Sequence, residues 1–454
     1  MTERGAAIGS DNGRINEFSN ESTNEPTNYF INEFSNRSTI ESTNEFINEF
    51  INEFINESTD QSSMSAHAIP PVFEDLPPLS LYVHLPWCER KCPYCDFNSY
   101  QVGPGSDVAR YANAICHDLR VSSKAIVPRP LQSIFFGGGT PSLFPAEAIA
   151  KILDAAERAY GFAPDIEITL EANPGSAEQG RFLGYRAAGV NRLSIGVQSL
   201  RDAQLARLGR VHSAAEARAA AVAARRAGFE NFNLDLMFGL PEDTLAGAMF
   251  DLDEALAMGP GHVSWYQLTL EPNTNFAKKP PPLPNEALLL EIEQAGRACL
   301  MAAGFTRYEI SAWAGTGGPS RHNLNYWNFG DYVGVGAGAH GKWSHAGATR
   351  YLRTERARQP ERYMREAEAG LDPHTRAVEA PRVRMQEFLM NGLRLIEGFP
   401  TEIMAARTGV PASAVGALLG RIAEKCPDWV RFADGHFALT EQGLWFADTV
   451  LLET

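Results

Sequence analysis

The segment LSLYVHLPWCERKCPYC (79–95) joins an apolar run to three closely spaced cysteines. The run LSLYVHLP (79–86) has the length and composition of a buried strand. Cys88, Cys92 and Cys95 follow it with the spacing C-x3-C-x2-C. Close-set thiolates bind soft metals, so this segment predicts a metal site just after a strand.

Further apolar runs extend this pattern along the chain. Buried strands are predicted at 133–138, 166–173, 192–197, 231–239 and 262–270, and helices lie between them, for example at 146–160, 214–228 and 285–304. Such alternation predicts an α/β fold with a parallel sheet. Polar residues mark the ends of six successive strands, which favours a partial or complete (β/α) barrel over an open doubly wound sheet.

The pattern changes near residue 376. Helical segments are followed by WVRFADGHFALTEQG (429–443), in which the Asp-Gly pair predicts the turn of a hairpin. We therefore expect a small helical, winged-helix-like domain at 376–454, packed on a barrel at 79–340. Residues 341–375 would connect the two, and the last segment has no basic recognition helix.

The first 63 residues contain a repeat that the rest of the sequence lacks. Asn recurs at every fourth position from Asn12 to Asn56, interrupted only at Ile40. Low complexity and few apolar residue types predict a disordered tail at 1–63, followed by a linker at 64–78. We expect Met64, directly after the array, to be the working start.

Composition excludes several classes of protein. The net charge of −15 argues against a nucleic-acid partner, which would need a basic surface. No apolar run is long enough for a membrane span and no signal peptide is evident, so we expect a cytoplasmic protein. The six cysteines do not form the framework of a secreted disulfide protein, because three cluster and three are scattered.

Two metal sites fit the cysteine cluster. The first is a closed zinc site with His84 as the fourth ligand, although we expect His84 to be a hydrogen-bonded core residue. The second is a 4Fe-4S cluster, in which three thiolates leave one iron open to a chelating ligand. Cys116, Cys299 and Cys426 lie in helical patterns and are interpreted as core thiols.

The C-x3-C-x2-C motif after a strand resembles the radical S-adenosylmethionine (SAM) superfamily, whose members bind SAM at the open iron. The words LYVHLPWC, FFGGGTPS, LEANP, RLSIGVQS and NLDLMFGLP together resemble the oxygen-independent coproporphyrinogen III oxidases and their relatives, the haem chaperones called HemW. The resemblance runs from about Leu79 to the C-terminus. It implies a 4Fe-4S cluster on Cys88, Cys92 and Cys95.

The resemblance also implies a SAM site. Tyr82 would contact the SAM, and Tyr94 fits the aromatic residue usual between the second and third cysteines. The methionine part would lie against Gly138, Gly139 and Thr140, and the ribose against Glu171. The positions that bind a second SAM in the oxidases correspond to Gln198, Arg210 and Asp235, for which a structural ion pair between Arg210 and Asp235 is the alternative. Thr269 matches a less informative position.

A last motif separates the two relatives. His322, Asn323, Tyr326 and Trp327 spell H-N-x-x-Y-W, which resembles the haem-binding motif of HemW proteins, with His340 as a second candidate ligand. Phe97 stands where the oxidases carry a further cysteine. The resemblance therefore implies a haem chaperone with haem as cargo, an apo-haemoprotein acceptor and a cytosolic low-potential electron donor. An acceptor at a membrane would add a peripheral membrane contact, and coproporphyrinogen oxidation is the alternative function.

Overall fold

The computed structural model describes residues 76–175, 180–345 and 350–452. The tetrapeptide array at 1–63 and most of the predicted linker lie outside these ranges. Within them, the strands are β1 Leu79–Leu85, β2 Trp87–Cys88, β3 Tyr100–Gln101, β4 Leu131–Gly138, β5 Phe162–Ala172, β6 Arg192–Gln198, β7 Asn231–Phe238, β8 His262–Gln267, β9 Thr306–Glu309, β10 Ala312–Ala314, β11 Asp331–Val335, β12 His340–Ser344, β13 Tyr351–Glu355, β14 His374–Val378, β15 Phe399–Pro400, β16 Val430–Ala433 and β17 His436–Leu439.

The helices alternate with the strands over most of the described chain. They are α1 Val108–Ser122, α2 Ala146–Tyr160, α3 Phe182–Ala188, α4 Asp202–Arg207, α5 Ala214–Arg226, α6 Leu245–Ala257, α7 Asn275–Lys278, α8 Glu286–Ala302, α9 Arg321–Trp327, α10 Pro360–Glu368, α11 Pro381–Gly392, α12 Thr401–Thr408, α13 Ala412–Lys425 and α14 Ala447–Leu452, with single 3-10 turns at Pro141–Leu143 and Gly443–Trp445. Local sequence sets their ends: α5, for example, begins with a capping box between Ser213 and Glu216. Over the described residues, no helix is long and apolar enough to cross a membrane.

One sheet organises the molecule. Its twelve strands follow the order β14-β13-β12-β11-β1-β4-β5-β6-β7-β8-β10-β9. The seven strands from β11 to β8 are parallel, and antiparallel strands extend both edges. Over the described residues the order ends at β14 and β9 without closing, so the predicted (β/α) barrel is confirmed in its partial form.

Alternation along the parallel strands separates an outer core from a lumen. In β6, Leu193, Ile195 and Val197 join the main hydrophobic cluster, where the flanking helices pack. The alternate residues line the enclosed space instead, namely Arg192, Ser194, Gly196 and Gln198. Because side chains of a strand point to opposite faces in turn, polar lumen residues do not interrupt the apolar layer behind them.

The C-terminal part forms a second core. Helices α11 to α14 pack with the small sheet β15-β17-β16 around buried residues such as Phe388, Leu419 and Phe437. The predicted hairpin is confirmed: β16 pairs with β17, and Asp434 and Gly435 at the turn both have positive φ.

Residues 341–375 are more than a connection. They carry most of β12, all of β13 and α10, and the start of β14, so the main sheet continues through them. These edge strands span five residues each, which is too short for a distinct period-2 signal in the sequence. The remaining domain boundaries stay a prediction.

Candidate functional site

The lumen of the partial barrel is a cavity of about 730 Å³. It reaches from the cysteine loop, beyond the carboxyl end of β1, to the helix α9. The structure brings every predicted site residue to its wall: Tyr82, Cys88, Cys92, Tyr94, Cys95, Gly138, Gly139, Thr140, Glu171, Gln198, Arg210, Asp235, His322, Asn323, Tyr326 and Trp327. Thr269 and His340 line it as well.

The cysteine loop is fixed by its own backbone. Cys88 ends β2, and its carbonyl accepts from the amide of Val102 at 2.8 Å. The amide of Cys95 donates to the carbonyl of Cys92 at 3.2 Å, which closes a tight turn between the last two cysteines. Lys91 spans the loop by donating to the carbonyl of Phe97 at 2.9 Å. The backbone therefore places the three thiols on one side of the cavity.

Burial favours the protonated form of two of the three thiols. Burial raises the pKa of Cys88, and it raises the pKa of Cys95 to about 11. The nearest cation to Cys92 is Arg210, whose Nη1 lies 3.7 Å from the sulfur. A metal would displace the thiol protons, because the thiolate is the form that binds metal.

His84 is a core residue and not a fourth ligand. Its Nε2–H donates to the carbonyl of Asn98 at 2.9 Å, and its Nδ1 lies 3.0 Å from the hydroxyl of Tyr82. Burial lowers the pKa of His84 to about 4, so the ring is neutral. Both nitrogens are engaged, which agrees with the expected core role and removes the nitrogen that the zinc alternative needed.

The glycines at the end of β4 serve close packing. The amide of Gly139 donates to Leu85 and that of Thr140 to Trp87, both at 2.8 Å, while the amide of Gly138 donates to Glu171 at 3.2 Å. A Cβ at Gly139 would lie 2.7 Å from the backbone of Pro86. All three amides thus have partners within the protein.

Two carboxylates face the cavity from β5 and β7, which lie on either side of β6. Burial raises the pKa of Glu171 to about 8, and the charge of Asp235 adds to the shift. Burial also raises the pKa of Asp235, which accepts hydrogen bonds from Ser194 at 3.0 Å and Asn233 at 2.7 Å. Buried carboxyl groups with a raised pKa are typical of ligand sites, because a bound hydrogen-bond donor or cation favours their ionised form.

Arg210 does not pair with Asp235, in contrast to the structural alternative considered for these residues. Its Nη2 instead donates to Asn173 at 2.6 Å and to the carbonyl of Gly196 at 2.8 Å. Asn173 also donates to Thr140 at 3.2 Å, so it links the arginine to the end of β4. The sequence interpretation missed Asn173, although it lies inside the quoted word LEANP.

Gln198 has an unusual backbone. Its φ of +68° places a non-glycine residue in the left-handed region, directly at the end of β6. Its side-chain oxygen accepts from the hydroxyl of Tyr266 at 2.9 Å. Strain of this kind is concentrated at functional sites, because the surrounding structure must hold it.

The helix α9 closes the other end of the cavity. Its first turn is capped by Ser320 and by the carboxylate of Glu167, which accepts from the amides of Arg321 and His322 at 3.2 Å. Asn323 donates to the hydroxyl of Tyr308 at 3.4 Å. The H-N-x-x-Y-W motif therefore lies in a capped helix in which His322 is the buried residue.

One of the two ring nitrogens of His322 has a hydrogen-bond partner. Its Nδ1 lies 3.1 Å from the hydroxyl of Ser133, and its ring stacks on Phe135 with centroids 4.9 Å apart. Its Nε2 is buried without a hydrogen-bond partner among the described residues. Burial lowers the pKa of His322 to about 3, so the imidazole is neutral, and its tautomer decides which nitrogen carries the lone pair.

The two aromatic residues of the motif contact the rest of the molecule differently. Tyr326 meets His322 edge to face at 4.7 Å and packs against Tyr332 at 4.6 Å. Trp327 lies under the guanidinium of Arg394, 4.3 Å from its ring centroid. Arg394 follows α11, so the motif is in direct contact with the C-terminal part of the chain.

Comparisons with known proteins agree with this geometry. The profile of the Radical SAM superfamily matches residues 82–252, and that of the HemN C-terminal domain matches residues 380–446. The solved coproporphyrinogen III oxidase HemN of Escherichia coli superposes with a TM-score of 0.69 at 20% identity, over 83% of this chain and 90% of that one. At this identity the likeness shows the fold.

Curated relatives are more similar. The chain is 46% identical to the Heme chaperone HemW of Haemophilus influenzae, over 75% of this chain and 88% of the relative. It is 43% identical to the Heme chaperone HemW of Escherichia coli, over 83% and 98% respectively. A radical SAM fold with a HemN C-terminal domain and identity of this extent place the chain in one family: it belongs to the HemW haem chaperones.

Proposed function

We propose that the protein is a cytoplasmic haem chaperone that binds a 4Fe-4S cluster, SAM and haem, and transfers the haem to an apo-haemoprotein. The observation that carries this proposal is the single cavity, which has three thiols at one end and a neutral histidine with an unpartnered nitrogen at the other. Membership of the HemW family supports it. A low-potential electron donor completes the set of proposed partners.

The residues at the cysteine end fit a 4Fe-4S cluster. Cys88, Cys92 and Cys95 line the same wall, and a cluster held by three thiolates keeps one iron for a small chelating molecule. When bound, such a cluster supplies one-electron reduction of SAM. The protein's part is to hold Cys88 and Cys95 in a water-poor pocket, where burial already raises the pKa of both thiols.

The SAM would lie between this cluster and the two acids. Tyr82 and Tyr94 offer ring contact, and Glu171 would accept the ribose hydroxyls. Because the amides of Gly138, Gly139 and Thr140 are engaged, their part in SAM binding would fall to carbonyl oxygens, which suit the ammonium of the methionine moiety. Gln198, Arg210 and Asp235 form the opposite side of the proposed SAM site.

Haem would approach from the α9 end. With the ring proton on Nδ1, donated to Ser133, the Nε2 of His322 keeps the lone pair that an iron ligand needs. Tyr326 and Trp327 would flank the porphyrin, and Asn323 would keep the helix in place through Tyr308. His340 is the second candidate ligand on the same cavity.

The proposal is tested by transfer. Anaerobically reconstituted protein, loaded with haem and mixed with an apo-haemoprotein, should convert the acceptor to its holo form as its own haem absorption decreases. A parallel reaction should contain reductant, SAM and coproporphyrinogen. Protoporphyrinogen formed at enzymatic rates, with no haem passed on, would contradict the chaperone and support the oxidase alternative.

A further inference from the structure

Arg192 is a buried cation that the proposed site has not used. It begins β6 and lines the lumen, and its exposed fraction is 3%. Its Nε is buried without a hydrogen-bond partner, and the guanidinium forms no ion pair with a residue that the structure describes. An unpaired buried charge is costly for a folded protein, so such a position indicates a ligand.

Two other buried arginines show how the chain can satisfy such a group, whereas Arg384 is buried without an ion pair among the described residues but does not line the cavity. Arg356 pairs with Asp118 at 2.6 Å, and Arg394 pairs with Glu309 at 2.9 Å. In each pair both side chains are almost fully buried, and the carboxylate comes from another element of the fold. Arg192 departs from this pattern inside a cavity large enough for a ligand.

The acids on the two strands beside β6 are hydrogen-bonded to other groups, although the charge of Arg192 partly offsets the rise that burial causes in the pKa of Asp235. Asp235 accepts from Ser194 and Asn233, and Glu167 caps α9. The groups around Arg192 are otherwise neutral, since burial and then its own charge lower the pKa of His262 far below its ordinary value and that of His322 to about 3. No carboxylate of the described residues forms an ion pair with Arg192, so a carboxylate of a ligand would complete it.

We propose that Arg192 is the binding site for a carboxylate of the cargo, a propionate group of haem, on the floor of the cavity beside His322. This inference rests on the proposed function. SAM carries a carboxylate too, but one bound at the cluster has to lie near the cysteines. Arg192 is separated from Gln198, at the cysteine end, by six residues of strand, which is roughly 20 Å.

Haem and its dimethyl ester are the probes, because esterification removes only the negative charges. Wild-type protein should bind haem more tightly than the ester by about tenfold or more, as expected for a charge-assisted contact away from water. Arg192→Gln should lose this preference by weakening haem binding while ester binding stays unchanged. Arg297→Gln is the matched control, because Arg297 lines the same cavity but pairs with Glu441 at 3.3 Å; it should keep the preference.

Ligand-free stability gives an independent readout. Because Arg192 forms no ion pair within the described part of the chain, Arg192→Gln should leave the midpoint of thermal unfolding of the ligand-free protein unchanged or raise it, whereas loss of a structural arginine would lower it. Equal affinity of the wild type for haem and ester would overturn the carboxylate site and leave haem binding intact. Loss of SAM affinity instead of haem affinity in Arg192→Gln would overturn it also, and binding of neither porphyrin by the wild type would remove the proposed function itself.

Discussion

The two ends of the cavity differ in how fully their buried polar groups are hydrogen-bonded within the protein. At the cysteine end, His84 and the amides of Gly139 and Thr140 have protein partners. At the α9 end, Arg192 and His322 each keep a buried nitrogen without one. Buried polar groups in native proteins are nearly always satisfied. At the cysteine end the Nε of Arg210 is also buried without a partner among the described residues, whereas at the α9 end both the cation and the histidine have such a nitrogen. The α9 end therefore has the larger unmet demand for a ligand.

The largest expected effect is loss of the cluster when a cysteine is replaced. Replacing Cys88, Cys92 or Cys95 with Ala should abolish the cluster, so that anaerobically reconstituted protein falls from about four irons per chain to none. Cys299→Ala is the matched control, because this thiol lies on α8, outside the cavity, near Asp253. Iron and sulfide analysis measures the result, and full iron content in Cys92→Ala would contradict the assignment.

Gly139→Val should have the second-largest effect. Its Cβ would collide with the backbone of Pro86 and Trp87, which cannot yield as a flexible side chain can. We expect a loss of about 3 kcal/mol or more in the free energy of unfolding, together with loss of cluster and SAM binding. Gly105→Val meets no atom within 4 Å and serves as the control. Normal cluster content with SAM binding alone lost would show that Gly139 acts only on the ligand.

Above about pH 8, where Glu171 is charged, Glu171→Gln should weaken SAM binding by roughly tenfold or more, because a charge-assisted contact to the ribose is lost. Burial raises the pKa of Glu171 to about 8, so the carboxyl is largely protonated at neutral pH. SAM affinity of the wild type should therefore rise as the pH approaches and passes 8, and Glu171→Gln should show no such rise. Calorimetric titration at several pH values checks this, and parallel curves for the two proteins would contradict it.

The same shift affects the stability of the ligand-free protein. A carboxyl whose pKa is raised on folding binds its proton more tightly in the folded state than in the unfolded state. Its stabilising effect is therefore complete at pH values below the ordinary pKa of a glutamate, and it is lost as the pH rises through about 8. Glu171→Gln should thus gain stability relative to the wild type as the pH rises. Thermal unfolding at pH 5 and pH 8.5 measures the difference, and an equal difference at both would exclude Glu171 as its source.

Trp327→Ala should have the smallest effect. Loss of one ring at the porphyrin is expected to weaken haem binding by about 1 kcal/mol, or roughly fivefold, without changing the ligation spectrum. Trp445→Ala is the matched control, since Trp445 lines the outer part of the cavity and is 40% exposed. A changed ligation spectrum in Trp327→Ala would show that the tryptophan positions the iron ligand.

Much of this architecture is predictable from the sequence, because strand and helix periods are local. The six barrel strands, α2 at Ala146–Tyr160 and the Asp-Gly hairpin follow directly from their residues. The unpartnered state of Arg192 could not be predicted, although the residue lies in a quoted motif. It depends on what Asp235 and Glu167 bind, and those contacts join strands that are distant in the chain.

The glycines at the end of β4 are a second case in which tertiary contacts could not be predicted from the sequence. GGGTP correctly marked the end of a strand beside the site, but the sequence could not tell whether Gly139 makes room for a ligand or for Pro86. The structure shows the second. Residue type sets what a position is able to do, and the packing partner sets what it does.

The most direct test of the account is a haem titration of His322→Ala with its cluster intact. Ser133 and Phe135, which contact His322, lie three to five residues along β4 from Gly138 at the cysteine end, so cluster assembly should survive. We predict normal iron and sulfide content, a changed haem absorption spectrum and weaker haem binding. An unchanged spectrum and affinity in folded His322→Ala would contradict the central claim that this end of the cavity receives haem through His322.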